Sequence, residues 1–143
     1  MTKFECLLED IVDSDTYLLP IQSKNAHTIC IEKEYAIFFG EQAYATNAER
    51  YVVLAHENSH VKTGMVYSDI TPLVTREYCE HKAWNRTVMD ILPFDELENA
   101  FYACKTSNGV SVYDLAEYLD MTVDFILYAI QLYLRKAKRI VGD

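Results

Sequence analysis

The sequence predicts an α+β fold: a small antiparallel sheet packed on a helix that carries a histidine pair, followed by a helical C-terminal region. Three observations predict it. The front third holds short runs of apolar and β-branched residues separated by turn formers, the pattern of strands. From Thr46 onward, capping residues precede apolar runs that end at Gly or Pro, the punctuation of helices. Half of the 143 residues are hydrophobic, with 11 Tyr and 6 Phe, enough apolar surface for a core that needs no staples.

The elements follow in order. Phe4 to Val12 reads as a short amphipathic helix. Tyr17–Ile21, Thr28–Glu32 and Tyr35–Phe39 read as strands, with Pro20 suited to an edge and the last two joined around Lys33 and Glu34 as a hairpin. Thr46-Asn47-Ala48-Glu49 has the capping-box form and opens a helix from about Asn47 to Thr63, with Gly64 as its stop. A second helix starts near Thr75 and ends before Pro93, whose ring and missing N–H oppose continuation. Asp95 with Glu98 begins a third. After the Ser107-Asn108-Gly109 turn, Ser111 begins a helix to about Leu119 and Thr122 caps a last one to roughly Lys138.

The last two helices and their tight turn resemble a helix-turn-helix, but a plain helix pair is the favoured reading. Leu115, Leu119, Phe125, Ile126, Ile130 and Leu134 read as packing positions. Arg135, Lys136, Lys138 and Arg139 complement the dipole of the final helix. No Pro-, Gly- or Ser-rich linker and no repeat divides the chain, so residues 1–105 are read as the main domain and 106–143 as a helical extension packed on it.

The net charge is −9 and the isoelectric point about 4.8. Such a surface repels phosphate backbones, so direct nucleic-acid binding is not expected and a basic protein partner fits better. The same charge weighs against a DNA-binding regulator built on the terminal helices. Cys6, Cys30, Cys79 and Cys104 show no paired spacing, which points to reduced thiols rather than a disulfide framework. Residues 1–15 lack the pattern of an export signal, and no stretch approaches the ~20 apolar residues that cross a bilayer. A cytoplasmic protein without membrane contact is expected.

The motif that carries chemistry is His56-Glu57-Asn58-Ser59-His60, an H-E-x-x-H on the expected helix. Residues four apart lie about 40° apart around the axis and one turn along it, so both imidazoles reach one ion. Glu57 stands to the side of the pair, placed to take a proton from a metal-bound water as general base without binding the metal. With 4 His and 12 Glu in the chain, chance supplies about 0.01 such motifs per sequence of this length. The other reading is a solvated face that happens to carry two histidines. It is opposed by the apolar run Tyr51–Ala55, since His56 and His60 continue the stripe of Val52 and Val53.

Catalytic zinc takes three protein ligands and keeps an open position. Glu80, His81, Cys79, Glu77 and His27 are the candidates for the third. Glu80 is favoured because it lies on the second helix with Ala83 on its face, which leaves room for close approach; His81 is the reserve. Tyr67, just past the first helix, is a candidate donor to a developing oxyanion, with core packing as the other reading of one tyrosine among 11.

At this point the sequence resembles the ImmA/IrrE family of small metallopeptidases, especially the compact versions of phages, prophages and mobile elements. The resemblance runs through Ala55-His56-Glu57-Asn58-Ser59-His60, Thr63-Gly64, Tyr67, Glu80-His81-Lys82-Ala83, Ile91-Leu92-Pro93 and Asp95-Glu96-Leu97. It continues through Tyr113-Asp114-Leu115-Ala116-Glu117-Tyr118-Leu119 to Thr122-Val123-Asp124-Phe125. It implies a zincin-like fold for 1–105 and a zinc-dependent endopeptidase of gluzincin type, with His56, His60 and Glu80 as Zn2+ ligands and Glu57 as catalytic acid/base. It also implies a substrate class, a helix-turn-helix transcriptional repressor of a phage or mobile element, which relatives cleave or otherwise inactivate. The alternative within the same resemblance is a catalytically weak or inactive anti-repressor that acts by binding alone. The sequence departs from the family pattern at Ser59, where Gly is usual, at Asn58, commonly apolar, and at Trp84, where Asp or Asn often follows the small residue. These departures imply looser packing of the motif helix and altered support of a ligand.

Overall fold

The structure, a computed structural model, describes residues 1–140. In chain order these form α1 (Lys3–Asp13), β1 (Tyr17–Pro20), β2 (His27–Ile31), β3 (Glu34–Phe39), a short 3-10 turn (Glu41–Ala43) and α2 (Asn47–Thr63). Then come α3 (Leu73–Ile91), α4 (Phe94–Cys104), α5 (Val112–Leu119) and α6 (Val123–Ile140). The fold is α+β, as the pattern predicts. The chain separates into two compact units, Met1–Thr87 and Val88–Asp143, divided inside α3.

In the first unit α1 is held by a full capping box: Thr2 accepts from the Glu5 N–H and the Glu5 carboxylate accepts from the Thr2 N–H. Its Phe4 and Ile11 join Ile37, Phe39, Tyr44 and Leu54 in one apolar cluster between helices and sheet. The sheet is mixed rather than antiparallel throughout, with order β1-β3-β2. β2 and β3 are the expected antiparallel hairpin, but β1 pairs with β3 in parallel. Pairing β1 with β3 puts Tyr35-Ala36-Ile37-Phe38-Phe39, the most apolar strand, at the centre, where both its edges are hydrogen-bonded. The hairpin turns at Glu32-Lys33, one residue earlier than the sequence suggests, with φ of 51° and 71°. That is the left-handed geometry of a tight hairpin turn, reached here without the Asn or Gly that would mark it. The register sets Thr28 opposite Ile37 and Leu18 beside it. All three therefore stand on the face that the apolar cluster covers, beneath α2.

α2 begins at Thr46, whose hydroxyl accepts from the Glu49 N–H at 3.1 Å. The Glu49 carboxylate does not complete the box and faces Lys24 at 3.6 Å. It ends at Gly64 in the left-handed conformation, φ 69°, a position where a glycine costs nothing. Every residue from Leu54 to His60 is buried, so this stretch of the helix is enclosed on all sides and its polar motif residues need partners.

In the second unit α4, α5 and α6 pack through Leu97, Ala100, Leu115, Leu119, Phe125 and Ile126. α4 starts at Phe94, behind Pro93, with Asp95 and Glu96 in its first turn, where acidic residues complement the dipole. Ser111 and Thr122 accept from the N–H groups of Tyr113 and Phe125, as caps. Two expected packing positions on α6 differ. Ile130 is only half-buried and Leu134 is exposed, whereas Ala129 and Leu132 are buried. The buried stripe 125, 126, 129, 132 follows the helical period, and Leu134 lies about 200° from Leu132 around the axis. Among the described residues, no helix is long and apolar enough to cross a membrane.

Candidate metal centre

The spacing on α2 places the His56 and His60 rings edge to face, with centroids 4.8 Å apart. α3 supplies Glu80 from the next helix: Oε2 lies 2.7 Å from His56 Nε2 and Oε1 3.1 Å from His60 Nε2. These three residues form a group whose donor atoms lie within 4.8 Å of one another. Ala83 is fully buried on the Glu80 face of α3, so no bulk at that position holds the helices apart. The other candidates for the third ligand lie elsewhere. His81 and Glu77 are exposed, Cys79 is buried outside the group, and His27 stacks on Phe38 with its Nδ1 2.9 Å from the Asn25 carbonyl.

Each donor is held by a further contact. Because α2 stops at Gly64, the chain turns back and offers the Met65 carbonyl, to which His60 Nδ1 donates at 2.6 Å. This leaves His60 Nε2 facing Glu80. Ser59 is 1% exposed, and its Oγ lies 2.9 Å from the Ala55 carbonyl and 2.8 Å from Thr87 Oγ1 on α3. The hydroxyl is thus sealed between the two helices that it joins. Asn58 is also buried and lines a separate cavity of about 430 Å³. Trp84 lies one turn beyond Glu80 and stacks on the His56 ring, centroids 3.8 Å apart at 22°.

Glu57 is 6% exposed. Thr28, on the buried face of β2, places its hydroxyl 2.9 Å from Glu57 Oε1 and 3.1 Å from the Glu57 carbonyl, and its single proton serves one of them at a time. Burial pushes the Glu57 carboxyl above its ordinary value, and the opposing pull of His56, His60 and the Thr28 hydrogen bond does not cancel it. A carboxyl raised in this way holds a proton more readily than an ordinary one, which suits a group that accepts and returns protons.

Burial also works against a charged Glu80, yet hydrogen bonds from His56, His60 and Tyr67 outweigh it and hold this carboxyl well below the usual range. For His60, burial disfavours the charged ring, and the hydrogen bonds to Glu80 and Met65 reverse that and raise it. Tyr67 donates to Glu80 Oε1 at 2.6 Å, and burial together with that bond pushes its phenol far up. Tyr67 is thus brought to the site, and its proton is engaged with the carboxylate.

The donor set suits a divalent ion: two imidazoles and a carboxylate, with Glu57 beside them and uncoordinated. Ligand distances of about 2.0–2.2 Å in a tetrahedral site separate donors by roughly 3.3 Å; the contacts from Glu80 to the imidazoles, at 2.7 and 3.1 Å, are shorter than that, while the donor atoms of the group spread over up to 4.8 Å. Binding would displace a proton from His60, whose two nitrogens both donate in this arrangement. The site opens on a groove of about 880 Å³ between β2 and residues 64–71, with Glu57, His60, Tyr67 and Glu80 in its wall. Among the described residues β2 pairs with β3 alone, and residues 26–30 line this groove.

Comparisons with protein-family models, with curated proteins and with solved structures give no match. Thr28, the Met65 carbonyl and Thr87 escape the sequence reading because their partners lie on other elements and no local pattern marks them. Trp84 stands out in the sequence only as a departure.

Proposed function

We propose that the protein is a metal-dependent endopeptidase, with zinc as the ion. The observation that carries this reading is the convergence of His56, His60 and Glu80 beside a buried, uncoordinated Glu57 at the wall of an open groove. The ion, when held by those three residues, supplies Lewis acidity and lowers the pKa of water in its open position.

The protein's own groups do the rest. Glu57, with its raised affinity for protons, takes one from the attacking water and returns it to the leaving amine. Thr28 keeps the Glu57 carboxylate pointed at the groove. Tyr67 stays protonated over the working range and donates to the oxyanion once its hydroxyl turns from Glu80. The outer edge of β2 receives an extended substrate by strand addition, which aligns the peptide without demanding a particular sequence. The resemblance described above points to a helix-turn-helix repressor as substrate, and the charge of −9 suits a basic DNA-binding partner.

The test is metal content joined to cleavage. Purified protein is expected to hold about one zinc per chain and to lose it in His56→Ala and Glu80→Ala, while Glu57→Gln keeps the metal and loses proteolysis. The substrate is sought by co-expression with any helix-turn-helix protein that a neighbouring gene encodes. Metal-free wild-type protein after purification in zinc would remove the reading. Capture of the repressor by Glu57→Gln, with no cleavage by wild type, would replace it with an anti-repressor that acts by association.

A further inference from the structure

We propose that Trp84 is a positioning residue of the metal centre: by stacking on His56 it holds that imidazole with Nε2 turned toward Glu80. The inference rests on the reading of His56 as a ligand, and it concerns how the ring is aimed.

A ligating histidine commonly donates its second N–H to an oxygen, and that bond fixes the direction of the ring. His60 follows this rule, with Nδ1 on the Met65 carbonyl at 2.6 Å. His56 does not. Its Nδ1 is buried and has no hydrogen-bond partner, alone in this among the described side chains. What His56 has is a face: the Trp84 indole lies against the imidazole, centroids 3.8 Å apart and planes within 22°. A face-to-face contact of this kind restrains ring tilt, because rotation about the Cβ–Cγ bond would drive the imidazole edge into the indole. The remaining in-plane direction is set by the 2.7 Å contact from Nε2 to Glu80 Oε2.

The helix explains why one element does both jobs. Glu80 and Trp84 are four apart on α3, so they lie on one face a turn apart. The carboxylate meets the nitrogen edge of His56 while the indole covers its plane. A stack cannot satisfy Nδ1, so the ring is aimed at the expense of one buried polar atom.

Trp84 is the chain's single tryptophan, so emission excited selectively at the red edge of the absorption, beyond the tyrosines, comes from a ring in contact with this imidazole. The experiment compares wild type, Trp84→Phe and Trp84→Leu. Zinc affinity is read by competition with a chromophoric chelator, and metal-free samples are checked by thermal melting. The His56 ring-proton shifts of the metal-free proteins are read by NMR. Phenylalanine keeps an aromatic face and is expected to hold zinc within about threefold of wild type, whereas leucine weakens it tenfold or more, the usual range for loss of a ligand's support. The His56 protons are shielded by the stack in wild type and Trp84→Phe and lose that shielding in Trp84→Leu. In wild type, Co2+ quenches the tryptophan emission as it fills the site. Equal zinc affinity in wild type and a folded Trp84→Leu would overturn the proposal, as would unchanged His56 shifts. If wild type binds no zinc, the metal reading fails by itself, and nuclear Overhauser contacts from the His56 ring protons, kept or lost between wild type and Trp84→Leu, still decide whether Trp84 sets the ring.

Discussion

Replacing Thr28 by valine removes one hydroxyl and little else, because the two side chains have nearly the same shape. The lost hydroxyl sits 2.9 Å from the Glu57 carboxylate in a buried environment. A hydrogen bond to a charged group contributes about 1.5–3 kcal/mol, and one between neutral groups about 0.5–1.5 kcal/mol. The penalty should therefore track the ionisation of Glu57. Its folded-state pKa lies above the ordinary carboxylate value, so the native state holds this proton more tightly than the unfolded chain. The associated stability is complete below the ordinary value and is lost as pH rises through the raised one.

Above that window the native state carries a buried carboxylate that Thr28 helps to stabilise. Thr28→Val is expected to cost about 1 kcal/mol near pH 4, where the carboxyl is protonated, and about 2 kcal/mol on the alkaline side of the Glu57 titration. Urea denaturation of both proteins with a metal chelator present measures each difference without interference from bound ions. If the proposed peptidase activity is found, its acid limb should also move to higher pH, since Glu57 without Thr28 holds its proton longer. A penalty that does not rise with pH, or that stays below about 0.5 kcal/mol on the alkaline side of the titration, would refute the assignment of Thr28 as the partner of an ionised Glu57.

Three further outcomes are expected. Zinc affinity should rise with pH through the titration of His60, whose pKa is raised in the metal-free protein, because a ligand nitrogen must give up its proton; chelator competition at several pH values reads the slope. Changing Glu32-Lys33 to Asn-Gly should stabilise the chain by about 1–2 kcal/mol, since both residues sit at positive φ where ordinary side chains are strained and Asn-Gly is favoured; the shift of the urea midpoint measures it. Gly40→Ala should destabilise by about 1–3 kcal/mol or more, because an added Cβ would collide with the Ser23 carbonyl and lie 2.8 Å from that of Ile21, both of them backbone atoms; a lower melting temperature is the readout.

The parts of the fold that the sequence announces are those decided within a turn or two of chain. Thr46 and Gly64 bracket α2 because a hydroxyl can accept from an N–H three residues on and a glycine can adopt positive φ. Pro93 ends α3 for an equally local reason. The hairpin turn is misplaced by one residue because Glu32 and Lys33 lack the composition of a left-handed turn and adopt it under the pull of strand pairing. The parallel pairing of β1 with β3 is invisible locally, since any of the three strands can pair with either neighbour. Which strand takes the centre depends on the surface offered by α1 and α2.

The candidate site divides in the same way. A helix of any sequence puts residues 56 and 60 on one face, so two imidazoles able to share an ion are determined by spacing alone. Nothing in that spacing selects Glu80 over His81, which differ by 100° on α3; the packing of α3 against α2 through Ser59, Ala83 and Thr87 turns one inward and leaves the other in water. Likewise, Thr28 reaches Glu57 across 29 residues of chain only because the register sets it opposite Ile37. The sequence by itself determined the histidine pair, the nearby carboxylate and the ends of the helices, since backbone geometry over one turn is enough to specify them. Tertiary structure decided the third donor, the partner of Glu57 and the ring that covers His56, because each is a meeting of distant elements that forms only when the whole apolar surface is buried at once.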